Sequence, residues 1–335
     1  MSILAQKIYN TFGGGKSLKS LPALCLDLLS DQMGAWPELR EGYRVLEGVR
    51  EREVSCRGFS VRLQHNPGRI KSSLAVVGGA YGAEQPCFLC LDQLPDGQKG
   101  ILYRNDYLIL CNPMPVFPSH FTVSHLEHDR QAIAEHIDTF LLLAADFSSD
   151  WVVLYNGPKC GASAPDHLHF QVIPSGQMPI EKDLREKNRL LLKTEMEGVL
   201  LYRVKDLGRE VILLEGNDLM TMENAFKNYL NELKKVLLVD EEPMINMAGW
   251  VEEKRWCLVI FPRRKHRPDA FFRQGEERLV VSPGVIDMGG ILITPVEKDF
   301  VRLDGASVES IYGEVSLEGK TVERAITLFC KERSA

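Results

Sequence analysis

Apolar and polar residues follow two different periods along this chain, and the change of period divides the chain into predicted elements. Near the start, LPALCLDLLSDQM places apolar residues three and four positions apart, as an amphipathic helix does. Pro37 predicts the end of this helical segment, because proline removes a backbone hydrogen-bond donor. The pattern therefore predicts a helical lead-in over residues 1–50.

From Gly58 onward the pattern favours short strands. The predicted strands of this part are GFSVRL, a hairpin-like pair of short strands in ILYRNDYLILCNP, then FTVSH, WVVLY and HLHFQVI. A helix is predicted over HDRQAIAEHIDTFLLLAADF. A loosely similar order returns further along as GVLLYRV, REVILLE, the helix LMTMENAFKNYLNELKKVLL, INMAGWV and WCLVIFP. This recurrence predicts a two-fold internal duplication, in which the second copy has no counterpart of HLHFQ.

The two runs predict an α+β fold, in which each half forms an antiparallel sheet with helices packed on one face. The polar run at 181–189 is the predicted link between the halves. The domain prediction is therefore a helical lead-in over 1–50, a catalytic half over 51–180, and a second, degenerate half over 181–335. The HLHFQ strand is expected inside the first sheet and not at its edge.

Composition narrows the class of protein. The 335 residues are 44% hydrophobic and 26% charged with a net charge of −6, as in soluble globular proteins. Lys and Arg are dispersed along the chain, which argues against a nucleic-acid partner. No stretch approaches the ~20 apolar residues of a membrane span. The eight cysteines suit a reducing compartment and the first residues do not resemble a secretory signal, so a cytoplasmic location is predicted.

The residues suited to chemistry lie in NGPKCGASAPDHLHFQVIP, residues 156–174. Alternate side chains of a strand share a face, so His167, His169 and Gln171 are expected on one face and apolar residues on the other. Such a row of polar groups is costly to bury unless a metal, a phosphate or both bind it. A neutral imidazole held by a backbone carbonyl can attack phosphorus, and Gln171 can donate to a phosphate oxygen.

The loop ahead of this predicted strand is suited to phosphate binding. Gly157 and Gly161 let backbone N–H groups approach an anion closely, and Ser163 adds a hydroxyl donor. A single histidine in such a place is more often a structural residue. The His-x-His-x-Gln pattern directly after a Gly/Ser loop favours the functional interpretation.

HLHFQ resembles the His-x-His-x-Gln signature of the transferase branch of the histidine-triad superfamily. The hydrolase branch carries a third histidine where this chain has Gln171. The resemblance therefore implies transfer of a nucleotidyl group to an acceptor, through a covalent nucleotidyl-histidine at His169 with Gln171 at the transferred phosphate. It also implies nucleotide or phosphate contacts from Asn156, Gly161 and Ser163.

Further segments are similar to the GDP-L-galactose phosphorylase family, namely GFSVRLQHNPGRIKSS, MPIEK and SPGVIDMGGILITPVEKDF. This similarity, from about residue 43 to about residue 303, implies a nucleotide sugar as substrate and phosphate or a sugar phosphate as acceptor. A dinucleoside polyphosphate phosphorylase with the same chemistry is the alternative. A zinc-stabilised nucleotide-binding protein without turnover is the alternative from another class, and the intact His169 and Gln171 argue against it.

A zinc site is predicted at Cys87 and Cys90, which have the C-x-x-C spacing of a zinc half-site. The histidines that follow at 120 to 128 offer further ligands. The similarity to galactose-1-phosphate uridylyltransferases, which have Cys, Cys, His, His sites, implies His128 as the third ligand and His167 as the fourth. Such a four-ligand zinc site would be structural, because no position stays open for water. Two buried cysteines beside a turn are the alternative.

Other polar residues are candidates for phosphate or sugar contacts. Arg69 and Lys71 lie in NPGRIKSS, for which a solvated basic loop is the alternative. Arg263 lies in PRRKHRPD directly after a predicted core strand, and a surface loop is its alternative. Asn112, in CNPMPVFPSH, resembles a position of the superfamily's nucleotide pocket where Asn or Asp contacts ribose.

Overall fold

Eleven strands form one continuous sheet through the molecule, and a second sheet of three strands lies beside it. The structure is a computed structural model of the chain and describes residues 2–14, 18–74 and 86–331. The strands are β1 (Ile8–Phe12), β2 (Arg50–Ser55), β3 (Ser60–His65), β4 (Gly100–Tyr103), β5 (Tyr107–Cys111), β6 (Phe121–His125), β7 (Trp151–Asn156), β8 (His169–Pro174), β9 (Leu190–Met196), β10 (Val199–Val204), β11 (Val211–Gly216), β12 (Ile245–Glu252), β13 (Arg255–Pro262) and β14 (Ile291–Thr294). The helices are α1 (Ile3–Lys7), α2 (Leu21–Ala35), α3 (Pro37–Glu47), α4 (Ile70–Leu74), α5 (Ile137–Phe147), α6 (Pro179–Asp183), α7 (Leu219–Leu237), α8 (Val285–Met288), α9 (Glu297–Arg302), α10 (Gly305–Val315) and α11 (Gly319–Lys331).

The strand order of the main sheet is β1-β4-β5-β6-β8-β7-β12-β13-β11-β10-β9. Its centre is the antiparallel pair of β7 and β12, in which Asn156 lies opposite Asn246. Read outward from this pair, the order β7-β8-β6-β5-β4 on one side is repeated by β12-β13-β11-β10-β9 on the other. The helices α5 and α7 occupy the same place in the two runs. The strand order thus shows the internal repeat that the sequence pattern predicts.

The α+β class is confirmed, but the two expected antiparallel sheets are a single one. Pairing of β7 with β12 joins the repeats, which leaves neither strand with an exposed edge. Two of the strand pairs are parallel, β1 with β4 and β14 with β3, so both sheets are mixed. Each of these pairs joins strands that are far apart in sequence, as a parallel connection requires.

The first fifty residues are less helical than predicted. The strand β1 forms one edge of the main sheet, where it pairs with β4. The helix α2 is present, and the side chain of Ser20 accepts a hydrogen bond from the Ala23 N–H at its start. The helix α2 ends at Ala35, just before Pro37, as predicted. Pro37 then opens a further helix, α3, because the first turn of a helix does not need the N–H that proline lacks.

Apolar side chains cover both faces of the main sheet. One core cluster joins the sheet to α2, α5, α7 and α11, and the other joins it to the small sheet, α8 and α10. Along β8, Phe170 and Val172 belong to the first cluster and Ile173 to the second. By alternation, His169 and Gln171 share the face of Ile173 and lie on the side of the small sheet.

The strand that carries the motif lies inside the main sheet, between β6 and β7, as predicted. It begins at His169, however, so His167 precedes the strand and does not follow its alternation. The backbone N–H of Leu168 donates to the carbonyl of Asp129, which lies outside the strands, at 2.7 Å. The expectation that His167 shares a strand face with His169 is therefore wrong.

Among residues 2–14, 18–74 and 86–331, the structure shows no helix with the length and apolar character of a membrane span.

Candidate active site and metal site

Two cysteines and two histidines converge beside the start of β8. One ligand atom from each of Cys87, Cys90, His128 and His167 lies within 4.8 Å of the others, and no second group of this kind occurs in the part of the chain that the structure describes. The Nδ1 atom of His167 lies 3.4 Å from the Cys87 sulfur, and that of His128 lies 3.1 Å from the Cys90 sulfur. Two sulfurs and two imidazole nitrogens are a donor set that suits zinc.

The far sides of both imidazoles are held so that Nδ1 faces the sulfurs. The Nε2–H of His167 donates to the His125 carbonyl at 2.9 Å. The Nε2 atom of His128 lies 3.4 Å from a carboxylate oxygen of Asp166. Such outer contacts fix the tautomer of metal-binding histidines. Burial raises the pKa of the Cys87 thiol to about 11, so the thiolate that binds metal needs a nearby cation for its stabilisation. The residues present therefore fit a zinc ion.

His169 is enclosed by protein, and one of its ring nitrogens has no partner among residues 2–14, 18–74 and 86–331. Its side chain is 2% exposed. Its Nδ1–H donates to the backbone carbonyl of His167 at 2.8 Å. Its Nε2 atom is buried and has no hydrogen-bond partner among the described residues. Burial lowers the pKa of His169 to about 4, so the imidazole is neutral at pH 7 and Nε2 carries a free lone pair.

Gln131 fastens the backbone at His169. Its side-chain oxygen accepts from the His169 N–H at 2.8 Å, and its amide nitrogen donates to the carbonyls of His169 (3.1 Å) and Asn156 (2.8 Å). The register of Leu154 with Gln171 would place Asn156 opposite His169. The side chain of Gln131 therefore replaces the ladder bonds at the point where β7 and β8 separate. No sequence motif indicates this residue.

Gln171 follows on the same face of β8 and contacts His120. The side-chain oxygen of Gln171 lies 2.8 Å from Nε2 of His120. Asn112 is also near this histidine, since its amide nitrogen lies 3.5 Å from Nε2, while its side-chain oxygen accepts from the Met114 N–H. His120, which the sequence motif does not include, is thus the residue that brings Asn112 and Gln171 together.

The loop between β7 and β8 depends on its glycine at 161. Gly161 has a φ of +108°, and a Cβ atom there would lie 2.9 Å from the Gly284 Cα. Ser163 is exposed on the same loop. Asn156 is buried, and its side-chain oxygen accepts from Asn246 and from the Val285 N–H, both at 2.7 Å. Asn156 therefore connects the two repeats at the base of the loop.

The predicted basic residues lie in different environments. Arg69 is half-buried, donates to the Met114 carbonyl at 3.0 Å, and carries a charge that helps to lower the pKa of His120. Its other N–H groups have no partner among residues 2–14, 18–74 and 86–331. Lys71 is exposed on α4. The structure therefore places Arg69 beside the His120 group and leaves Lys71 at the surface.

Arg263 is buried, with a side chain 1% exposed. It donates to the side chain of Asn246 and to the backbone carbonyls of Pro283, Val315, Lys265 and His266. These five contacts use all five N–H groups of its guanidinium. Arg263 therefore has no donor left for a phosphate, and we leave it out of the phosphate site.

Comparisons with known proteins bear on the fold of the chain. A family described as "Domain of unknown function (DUF4922)" matches residues 28–174, which include the four candidate metal ligands and the HLHFQ motif. No curated protein matches the chain. Among solved structures, the chain is similar to yeast Ap4A phosphorylase Apa2, with a TM-score of 0.55 at 15% identity over 88% of this chain and 97% of that chain.

The same yeast enzyme matches in its complexes with AMP and with Ap4A, with TM-scores of 0.55 and 0.56 over 88% of this chain. Both matches are also 15% identical, and they cover 96% and 97% of the yeast chain. At this identity the likeness shows a shared fold. The chain therefore has the fold of an Ap4A phosphorylase over most of its length, including both repeats.

Proposed function

We propose that this chain is a nucleotidyltransferase that works through a covalent nucleotidyl intermediate on His169. The observation that carries the proposal is the Nε2 atom of His169, which is buried, unprotonated and without a partner among the described residues, while Nδ1–H is held by the His167 carbonyl. A neutral imidazole fixed in one tautomer is suited to nucleophilic attack on phosphorus. The HLHFQ motif together with this geometry supports the proposal that the chain is a histidine-triad transferase.

The reaction has two displacements. First, the Nε2 lone pair forms a bond to the α-phosphorus, and the bond from phosphorus to the leaving phosphate oxygen breaks. The His167 carbonyl, 2.8 Å from Nδ1, then stabilises the positive charge that the imidazole acquires. Second, an oxygen of the acceptor phosphate attacks the same phosphorus, the N–P bond breaks, and His169 returns to its neutral form.

Phosphate contacts would come from residues on both sides of His169. Gln171 and the loop of Gly161 and Ser163 are proposed to donate to the non-bridging oxygens of the reacting phosphate. Arg69, Lys71 and Asn112 are proposed for the more distant phosphates or the ribose. Asn156 contributes indirectly, since its side chain is engaged by Asn246 and Val285.

Zinc would be held by Cys87, Cys90, His128 and His167, where it would fix the segment that leads into β8. The residues themselves hold His169 from two further directions, through the His167 carbonyl and through Gln131. A site closed by four protein ligands leaves no position for a metal-bound water. We therefore assign the metal a structural role.

The substrate proposed first is a dinucleoside polyphosphate with inorganic phosphate as acceptor. The yeast enzyme that shares the fold is an Ap4A phosphorylase and has been solved with AMP and Ap4A. A nucleotide sugar, with phosphate or a sugar phosphate as acceptor, is the second candidate, because the segments around Arg69, after the motif and near 282–300 are similar to GDP-L-galactose phosphorylases. Both substrates present an α-phosphorus to the same nucleophile.

The test is to trap the intermediate. The protein is incubated with Ap4A and, in parallel, with GDP- and UDP-sugars, then quenched at alkaline pH, and its intact mass is measured. We expect an added nucleoside monophosphate on the wild type, none on His169→Ala, and the full amount on the matched control His136→Ala. An undiminished adduct on His169→Ala would exclude the mechanism. Nucleotide binding without any adduct on the wild type would instead favour a non-catalytic nucleotide-binding protein.

A further inference from the structure

His120 is a buried histidine whose tautomer is set by the backbone. The His120 side chain is 1% exposed. Its Nδ1 atom lies 3.2 Å from the backbone N–H of Val116. An N–H can only donate, so Nδ1 must be the acceptor and the ring proton must be on Nε2. Burial lowers the pKa of His120 to about 4, which keeps the ring neutral and this single tautomer in place.

The proton on Nε2 in turn determines how the Gln171 amide is oriented. The nearest polar side-chain atom of Gln171 lies 2.8 Å from Nε2, and only its oxygen can accept the proton. The amide nitrogen must then point away from His120. In the part of the chain that the structure describes, no residue accepts a hydrogen bond from that nitrogen. Both of its N–H groups are therefore available to a ligand on the His169 face.

The opposite orientation of the Gln171 amide would disfavour binding of a phosphate. A side-chain amide can turn by half a rotation at little cost unless its neighbours distinguish oxygen from nitrogen. Turned in that way, Gln171 would present its oxygen to a phosphate and repel it. The chain Val116 N–H to His120 to Gln171 prevents this, because each member can donate in one direction only.

We infer that His120 is a positioning residue that locks the Gln171 amide with its NH2 group toward the transferred phosphate. The inference deepens the proposed function and rests on it, since Gln171 is the donor proposed for that phosphate. Asn112 does not replace His120 in this role, because its amide nitrogen approaches Nε2 only to 3.5 Å and is itself a donor.

Two substitutions of His120 separate positioning from simple packing. A glutamine side chain can place its amide nitrogen near the position of Nε2, so His120→Gln keeps the donor to Gln171 and loses the contact with Val116. An asparagine is shorter and can accept from Val116 but does not reach Gln171, so His120→Asn keeps the other contact. A positioning role predicts that His120→Gln retains activity and His120→Asn does not. A packing role for the Val116 loop predicts the reverse order.

The measured quantities are kcat and KM for nucleotidyl transfer, with the wild type, His136→Asn as control, Gln171→Ala and the double variant His120→Asn/Gln171→Ala. We expect kcat of His120→Asn to fall by about 10²-fold, as for the loss of one preorganised donor, with KM little changed. The double variant should be no slower than Gln171→Ala. An equal loss in both His120 variants, or a further loss in the double variant, would overturn the inference.

Failure of the proposed function would be recognised separately. If the wild type forms no adduct with any substrate, the transferase proposal falls, and the orientation is tested by nitrogen NMR of the His120 ring in the wild type. A protonated Nε2 and an unprotonated Nδ1 would support the lock. A protonated Nδ1 would overturn it, whatever the reaction of the protein.

Discussion

Replacement of Gln131 by leucine tests whether this side chain holds the backbone at His169, the proposed nucleophile, in place. Gln131 is 2% exposed and bonds three backbone groups, the N–H and carbonyl of His169 and the carbonyl of Asn156. Leucine has a similar volume but no polar atom. The variant would therefore remove all three bonds while it leaves the packing largely unchanged.

The expected loss of stability follows from the backbone groups that lose their hydrogen-bond partner in the variant. A buried backbone group without a partner costs about 1–3 kcal/mol, so three such groups would cost roughly 3 kcal/mol or more, even if local rearrangement lets some of them find water. Gln32 offers a matched control, since it is 3% exposed but makes a single bond, to the Gly97 carbonyl at 2.8 Å. Gln32→Leu should cost at most about 1 kcal/mol, because it also removes the buried Gln32 oxygen, which has no partner in the part of the chain that the structure describes.

The assay is urea unfolding of both variants and the wild type, followed by the rate of adduct formation in a single turnover. Gln131→Leu should lose roughly 2 kcal/mol more in the free energy of unfolding than Gln32→Leu, by the same arithmetic. It should also form the adduct more slowly under folding conditions, because His169 is no longer tied to β7. Equal stabilities of the two variants would refute the reasoning.

Three further outcomes are expected. Cys87→Ser should lower the zinc content and the Tm, while substrate preference stays the same. Metal analysis and thermal unfolding measure this, with Cys56→Ser as the control, and unchanged zinc content would contradict the site. Gly161→Ala should lower the free energy of unfolding by more than the roughly 1–2 kcal/mol of a left-handed residue, because its Cβ meets Gly284. Gly176→Ala, with a φ of +78° and open space around its Cβ, should cost only that amount, and equal losses of the two variants in urea unfolding would exclude the contact. Burial lowers the folded-state pKa of His266 to about 3, so stability should be complete above pH 6.5 and fall as the pH drops toward 3, by up to about 1.4 kcal/mol per pH unit. His266→Gln should show a flatter decline in urea unfolding at a series of pH values, and an unchanged slope would contradict the assignment.

The sequence was sufficient for the parts of the molecule that depend on local pattern. The alternation of HLHFQVI places Phe170 and Val172 in one core, and the cysteine spacing together with the superfamily resemblance identifies four residues that do converge. The start of β8 could not be read in this way, because alternation does not show where the ladder to β7 begins. His167 was therefore expected on the strand, although it lies before it.

The remaining parts depend on contacts between distant positions. Gln131 lies 38 residues before His169, and His120 lies 51 residues before Gln171, so neither pair leaves a local pattern. Arg263 was expected near phosphate because the stretch around it is basic. Only the fold shows that its guanidinium is enclosed by carbonyls from three segments. The pairing of β7 with β12, which joins the two repeats in one sheet, likewise depends on both strands together, so the sequence pattern of one repeat does not show it.

The pairing of β7 with β12 has a consequence for how such a duplicated chain can diverge. The second repeat fills its equivalent face with Trp250, Val259 and Phe261, which belong to a buried core cluster. Its strand β12 also covers the edge of β7, the neighbour of the strand that carries His169, and without β12 this edge would be open to pairing with other chains. We therefore expect a diverging chain to keep the second repeat, because its deletion would expose the edge of β7 and favour aggregation.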